Sequence, residues 1–469
     1  MKARFILSLL ASVGILSAGI WPARVAGAGA AADTLLATNY QVAVAGHALQ
    51  VYRARTLDAP FNTGKRNYGG DYAFANFDLA SPVEVRIESA QSLSQVVIRP
   101  AYPDLKVRVE SEHVMTVAFK IPRKVSIEPD GKNQPLLLFA NPQDADSVVP
   151  HGPQVVYFSP GVHDAGKITL TNNQTLYLAA DAVVKGGIVA SGQNIRITGR
   201  GILDSSDYAW RQGPTSEVIS MRGTNVEVSG ITIRGASHWT VVPRNSRHVV
   251  IRNLKICGSR VPNDDGIDPC NSQDVLVTDC FIRSDDDCVA LKGLDLSGPN
   301  NQVEEVTVTN CVLWCDRARI FLLGHESRAE FMRDIVLTDL DIIHFSMTPF
   351  LFQPGEEMRL ENVRVDGVRI HGEGQRELVR IEPAINQYMV RKVPGHIANV
   401  QFRNLTLTGS DGAYAICLSG HDEQHGTRNV RFENLNLLGQ PVTNGSRFVK
   451  VGAFTENISF TPANPPTDE

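Results

Sequence analysis

The chain has 469 residues, with 45 Lys+Arg against 50 Asp+Glu and a formal net charge of -5. A mildly acidic surface repels phosphate polymers and excludes nucleic acid as an expected partner. The length admits about three average domains, although elongated repeat folds escape that rule.

At the N-terminus, Lys2 and Arg4 precede an apolar run from Phe5 to Ile20, and small residues come after it at Ala26-Gly27-Ala28 and Ala30-Ala31-Ala32. This is the layout of a secretory signal peptide over residues 1–32, too short and wrongly flanked for an anchor; an uncleaved anchor is the competing reading. No other stretch approaches the ~20 apolar residues of a membrane span, so the mature chain is expected to be secreted or periplasmic, without a membrane partner. Cleavage removes Lys2, Arg4 and Arg24, leaving 42 Lys+Arg against 50 Asp+Glu, a net charge of -8. Seven cysteines in a secreted chain point to disulfides, with an odd one left over. Cys280 and Cys311, however, share a repeat position with Leu254 and Leu340 and read as small buried hydrophobes. C-x-x-C spacing is absent, Cys311 and Cys315 being the nearest approach, and no metal or cofactor is assigned.

Residues 33–147 carry alternating stretches such as Val83-Glu-Val-Arg-Ile87, Val107-Arg-Val109 and Val125-Ser-Ile127 between Pro, Gly and Asp turns. They predict a small antiparallel β-sandwich, and the segment from Asn141 to Pro153 predicts a linker. The expected duty of the sandwich is to cap the open N-terminal end of the repeats in the second half of the chain.

Residues 148–462 repeat themselves. Val226-Glu-Val-Ser-Gly-Ile-Thr-Ile233, Val249-Val-Ile-Arg-Asn-Leu-Lys-Ile256 and six later segments share one pattern: apolar, any, apolar, polar, Asn/Asp/Gly, apolar, any, apolar. Between third positions (Val228, Ile251, Val277, Val308, Leu337, Val365, Phe402, Phe432) the spacings are 23, 26, 31, 29, 28, 37 and 30 residues. Each unit holds two short strands around a turn and must stack on its neighbours to bury its apolar face, which predicts an all-β solenoid, a parallel β-helix. The recurring Asn253, Asp279, Asn310, Asp339, Asn404 and Asn434 read as left-handed turn residues that hydrogen-bond along the stack. Residues 463–469 form a tail.

Two acidic segments interrupt the repeats: Asn263-Asp-Asp-Gly-Ile-Asp268 and Ser284-Asp-Asp-Asp-Cys-Val-Ala-Leu-Lys-Gly293. Aligned by their apolar triplets, Gly266-Ile267-Asp268 lies over Cys288-Val289-Ala290, which puts Asp265 over Asp287 and Asp264 over Asp286, 22 residues apart. Stacked strands are ~4.8 Å apart, so these carboxylates share one patch and cannot all ionise freely. At least one should hold a proton near neutral pH while a neighbour stays a base, the pairing that glycosidic cleavage needs. A structural Ca²⁺ site is the competing reading of the acids, and Asp264 and Asp285 read as turn residues.

Asn263 to Asp268 resembles the N-T-D-G-x-D motif, and Asp286-Asp287-Cys288-Val289-Ala290 the D-D-C-x-A motif, of the polygalacturonase, dextranase and isopullulanase clan. His238-Trp239 and Leu176 to Lys185 resemble its early coils. The likeness covers about 300 residues, from Val155 to Phe460. It implies an inverting glycoside hydrolase on a right-handed β-helix, with Asp286 donating the proton and Asp265 and Asp287 activating water. Polygalacturonases carry G-H-G and R-I-K further on; here Gly324-His325-Glu326 and Arg380-Ile381-Glu382 stand in those places. Glu in place of Lys repels a uronate, which favours a neutral α-glucan, with galacturonan as the alternative. Asn263, Lys292, Arg319, His325 and Trp239 are the residues expected to hold substrate, and Tyr208 and Trp210 are further stacking faces for sugar rings. A monomer acting on a polysaccharide or oligosaccharide is expected. A non-catalytic glycan-binding β-helix and a polysaccharide lyase are the readings from other classes.

Overall fold

The computed structural model describes residues 35–64, 67–143, 152–294 and 301–462. The signal-peptide and tail segments, 1–32 and 463–469, lie outside the described residues, as does the middle of the linker. No helix forms among the described residues; the chain there is all-β.

The repeat alignment is reproduced rung by rung. Val228 pairs with Ile251, Ile251 with Val277, Val277 with Val308, and Val308 with Leu337, always in parallel. Leu337, Val365, Phe402 and Phe432 continue the stack, and Phe460 adds a coil beyond the last repeat. Each apolar side chain therefore lies on its counterpart one rung away, and together they fill one continuous core. In its last coils the core is an aromatic ladder, with ring centroids 5.1 Å apart for Phe402–Phe432 and 4.5 Å for Phe432–Phe460. Asn253, Asp279, Asn310, Asp339, Asn404 and Asn434 all adopt left-handed φ between 49° and 56°. The Asn434 amide donates to Asn404 Oδ1 (2.7 Å), and the Asn404 amide to Asp366 Oδ1 (2.8 Å).

Before the solenoid stand two five-stranded sheets. Val85, Ile87, Met115 and Val117 from one share a core with Ala73, Ala75, Ile127, Leu136 and Leu138 from the other. One pairing departs from the antiparallel expectation, because Tyr72–Leu79 and Leu136–Pro142 run parallel. Between them the chain crosses to the opposite sheet and returns, a detour long enough for two adjacent strands to share a direction.

The capping role expected of this region is not what its contacts show. Tyr72, Phe74, Leu137 and Phe139 point away from the shared core and pack on Val183, Ile202, Phe281, Val312, Trp314 and Ile343, outward residues of successive coils. The second sheet is thus buried on both faces, which explains the unbroken apolar run Leu136-Leu-Leu-Phe-Ala140. It lies along the flank of the solenoid, beneath the coils that carry the aspartates. All seven cysteines are free, which corrects the disulfide expectation: six are buried as small apolar groups and Cys417 is half-buried.

Candidate active site

The acidic segments meet as their alignment requires. Ile267 bridges Val289 in parallel, and the Gly266 N–H donates to Asp287 O (2.9 Å). Asp265, Asp286 and Asp287 are only 3%, 8% and 3% exposed.

The turns that hold them are built by the remaining acids. Asp264 Oδ2 accepts the Ser259 N–H (2.5 Å), and its Oδ1 accepts the Asp285 (2.6 Å) and Asp286 (3.3 Å) N–H groups, clamping one acidic turn onto the other. Asp285 accepts the Tyr68 hydroxyl, which comes from the segment leading into Tyr72–Leu79 of the N-terminal sheets, and Arg317 Nε (2.7 Å). Both are positioning residues, as their turn-like setting in the sequence indicated.

Asp286 is an acceptor on both oxygens. Its Oδ2 takes the Asn263 amide (3.1 Å) and an Arg317 Nη2–H, and its Oδ1 takes the Asp287 N–H (3.1 Å). Asp287 Oδ1 accepts the Arg319 N–H (3.0 Å), with the Arg319 guanidinium 3.8 Å away. Asp265 Oδ2 pairs with Lys292 Nζ at 2.9 Å, while its buried Oδ1 has no hydrogen-bond partner among the described residues. Lys292 is the hub of this side: it also meets Asp268 (3.0 Å) and Glu326 (3.2 Å) and lies 3.6 Å over the Trp239 ring.

Electrostatics separates the groups. Burial pushes the Asp265 carboxyl up to about 6, although Lys292 pulls it down. Burial, then the neighbouring Asp286 and Asp265, hold Asp287 well above the usual carboxylate range. Burial alone would depress the Lys292 ammonium, but Asp265, Asp268 and Glu326 keep it well above the ordinary lysine value. Burial and mutual repulsion thus raise the proton affinity of both Asp265 and Asp287, and Lys292 tempers the rise at Asp265. Lys292, Arg317 and Arg319 already occupy the carboxylate faces, which disfavours a structural Ca²⁺ there.

Of the residues expected to hold substrate, Asn263, Lys292, Arg319 and Trp239 all touch the aspartates or their immediate partners. His325 does not: its ring meets Gln353 Oε1 (3.0 Å) and Tyr388, while the adjacent Glu326 reaches Lys292. One face of Trp239 is taken by Lys292, and the ring stacks on His238. Arg211 Nη2 donates to Asn263 Oδ1 (3.2 Å) and leads from the cluster toward Trp210. There Tyr208, Trp210, Phe61 and Gln212 line a cavity of about 640 Å³ between solenoid and N-terminal sheets. Trp314 is fully buried. Sequence reasoning missed Arg317, Asp268, Arg211 and Tyr68. The first could have been found as a cation two residues before Arg319, on the coil after the aspartate pair.

Residues 157–313 match the family model described as glycosyl hydrolases family 28. A probable polygalacturonase of Vitis vinifera is 27% identical over 178 aligned residues, covering 29% of this chain and 36% of that one. The isopullulanase of Aspergillus niger is 22% identical over 348, covering 60% and 58%. The chain spans about a third of the length of the first curated relatives it matches. Dex49A from Penicillium minioluteum, at 17% identity, superposes with a TM-score of 0.61 over 91% of both chains and shares the fold. Over residues 157–313 the chain is thus similar to glycosyl hydrolases of family 28, its similar relatives include a polygalacturonase and an isopullulanase, and its fold is the one Dex49A has.

Proposed function

We propose that this chain is a secreted, monomeric O-glycosyl hydrolase that cleaves an α-linked polysaccharide or oligosaccharide with inversion, a neutral α-glucan being the favoured substrate. In this reading residues 33–147 are a supporting sandwich and residues 148–462 a right-handed catalytic β-helix. The observation that carries the substrate class is the charge around the aspartates. Asp265, Asp268, Asp285, Asp286, Asp287 and Glu326 surround Lys292, Arg317 and Arg319, each of which already faces a carboxylate. Arg380, which stands where polygalacturonases have the Arg of R-I-K, is paired with both Glu377 and Glu382. Such a cleft repels an anionic sugar and suits hydroxyl groups.

In the reaction, Asp286 gives a proton to the leaving glycosidic oxygen as the C1–O bond breaks. Asp265 takes a proton from the water that attacks C1 from the opposite face, and Asp287 beside it holds that water in place. Donation by Asp286 requires the Arg317 contact on Oδ2 to open, the sugar taking its place. Asp286→Asn is expected to lower kcat by about 10²–10⁴-fold with oligosaccharide binding retained. Unchanged turnover would leave only a glycan-binding role.

Galacturonan is the second reading, favoured by the family 28 match, by the name of the Vitis vinifera relative and by Arg319, whose buried Nε has no hydrogen-bond partner among the described residues. The test is reducing-end release from dextran, pullulan and polygalacturonate, with the product anomer followed by NMR. Release from the α-glucans as the inverted anomer supports the favoured reading, and release from polygalacturonate alone replaces it. An unsaturated, ultraviolet-absorbing product abolished by EDTA would instead indicate a lyase.

A further inference from the structure

Far from the aspartates, at one corner of the last coils, three side chains converge. Glu357, His396 and His425 come from three successive coils: Arg359 pairs with His396, and Ile397 with Thr427, so these residues stack in one column. Their donor atoms all lie within 4.8 Å of one another. Glu357 Oε2 is 3.2 Å from His396 Nε2 and 3.5 Å from His425 Nε2. Ligands ~2.05 Å from a tetrahedral ion are separated by ~3.3 Å, so two of the three edges already have the required length.

The orientation of the His425 imidazole is fixed from behind. Asp422 accepts from His425 Nδ1 at 2.8 Å, and its Oδ1 is itself anchored by the Gln424 and His425 N–H groups. With Nδ1 turned to Asp422, His425 Nε2 is the ring nitrogen directed at the Glu357 carboxylate, the geometry in which a metal-bound imidazole is held by a carboxylate behind it. The backbone also holds Glu357 in place. Glu356 and Glu357 adopt consecutive left-handed φ of 56° and 66°, a conformation unfavourable for residues other than glycine. Their N–H groups are tied to Val393 O (2.6 Å) and Pro394 O (3.0 Å). At Gly395 a Cβ would lie 2.5 Å from Met358 O, so only glycine lets the two segments approach closely enough to bring His396 to Glu357. The Glu356 carboxylate is buried and accepts the Val390 N–H; that of Glu357 faces the two histidines.

We propose that Glu357, His396 and His425 form a binding site for a divalent transition metal of the zinc type, with Asp422 orienting His425, which clips three coils of the solenoid together. Two imidazoles and one carboxylate match the ligand preference of zinc, and a water or solvent ligand completes the set on the exposed side. The spacings of 39 and 29 residues between the three ligands match no compact metal motif, which is why the site is visible only once the coils are stacked. It stands apart from the hydrolase reading, since none of its ligands touches the aspartate cluster.

The full-length protein, stripped with a chelator and dialysed, is titrated with Zn²⁺ by calorimetry and with Co²⁺ by visible absorption. The expected result is one equivalent of Zn²⁺ per chain, the d–d spectrum of four-coordinate Co²⁺, and a Tm that rises with Zn²⁺. Glu357→Gln, an exposed position, should weaken binding at least tenfold, and Asp422→Asn by about 10–100-fold. The double variant His396→Ala/His425→Ala should abolish binding, and Asp286→Asn should bind as the unsubstituted protein does. If the protein binds no Zn²⁺ beyond the level of the double variant, or Glu357→Gln binds equally well, the cluster is an imidazolium–carboxylate pair and the proposal fails.

Discussion

Asp265 sits between opposing influences, and that makes its titration the most testable property of the cluster. Burial raises it to about 6, Lys292 lowers it, and Asp286 and Glu326 raise it. As the base it must be ionised, so kcat/KM should rise with pH through about 6 on its acid limb. Glu326→Gln should move that limb to lower pH and Lys292→Met to higher pH; a limb that ignores both belongs to another group. The same shift has a consequence for stability. The native value lies above the ordinary 3.8, so the folded state holds a proton that the unfolded chain releases. Stability is fully present below pH 3.8 and is lost as pH rises through about 6, by roughly 3 kcal/mol. Asp265→Asn should therefore raise the denaturant midpoint at pH 7 and leave it unchanged near pH 3.5, while removing activity. The acids in this cluster were legible in the sequence because the repeat spacing stacks Asp265 over Asp287, 22 residues on, even with a Ca²⁺ site as a competing reading. Of the cations that hold them, Lys292 and Arg319 were legible and Arg317 was not, since Arg317 and Arg319 differ only in which carboxylate their long side chains reach. Likewise the segment around His325 was legible but not the side it presents: neighbouring residues point to opposite faces, and it is Glu326 that faces Lys292.

At the scale of the coil, the asparagine ladder does what a hydrophobic core cannot, which is to specify where each turn falls. Asn404 holds φ at 49°, donates to Asp366 and accepts from Asn434. Asn404→Ala removes both hydrogen bonds and places a Cβ without local compensation in the left-handed region, at a cost of about 1–3 kcal/mol. Asn404→Gly loses only the hydrogen bonds and should be the milder variant, by about 1 kcal/mol in urea titrations. If alanine and glycine prove equal, the backbone conformation is not what the residue supplies. Register was legible because the alternating pattern permits one in-phase stacking, and a slip by one residue would turn Val228, Ile251 and Val277 out of the core. The parallel pairing of Tyr72–Leu79 with Leu136–Pro142 was not, because alternation records which residues face inward and carries no information about strand direction.

Across the whole molecule, the N-terminal sheets and the coils that carry the aspartates behave as parts of one packing unit. Arg283 is fully buried between them, lying 4.1 Å from the Tyr72 ring and 3.9 Å from the Trp314 ring, paired with Asp316 at 2.9 Å and donating to Tyr68 O. Lys124 pairs with Asp279, and His344 bridges Glu128 and Glu373. Burial would depress the His344 imidazole, but the two glutamates raise it overall. The apolar seam is equally continuous, with Phe139 against Phe281 at a centroid distance of 5.2 Å. A flank so covered cannot be exposed without uncovering Phe281, Val312 and Trp314, so heating should produce a single calorimetric transition for both parts rather than two. Phe139→Ala opens a cavity in the seam and should lower stability by about 3–5 kcal/mol while keeping that transition single. Two separated transitions in this variant or in the unsubstituted protein would mean that the sheets fold as an independent unit. Tyr68 then gives the seam a catalytic reading. Its hydroxyl links these sheets to Asp285, whose other oxygen holds Arg317, the partner of Asp286. Tyr68→Phe should leave the melting transition within about 1 kcal/mol of its original stability but lower kcat several-fold with KM unchanged, because the loss falls on the orientation of the proton donor and not on the groups that hold the sugar.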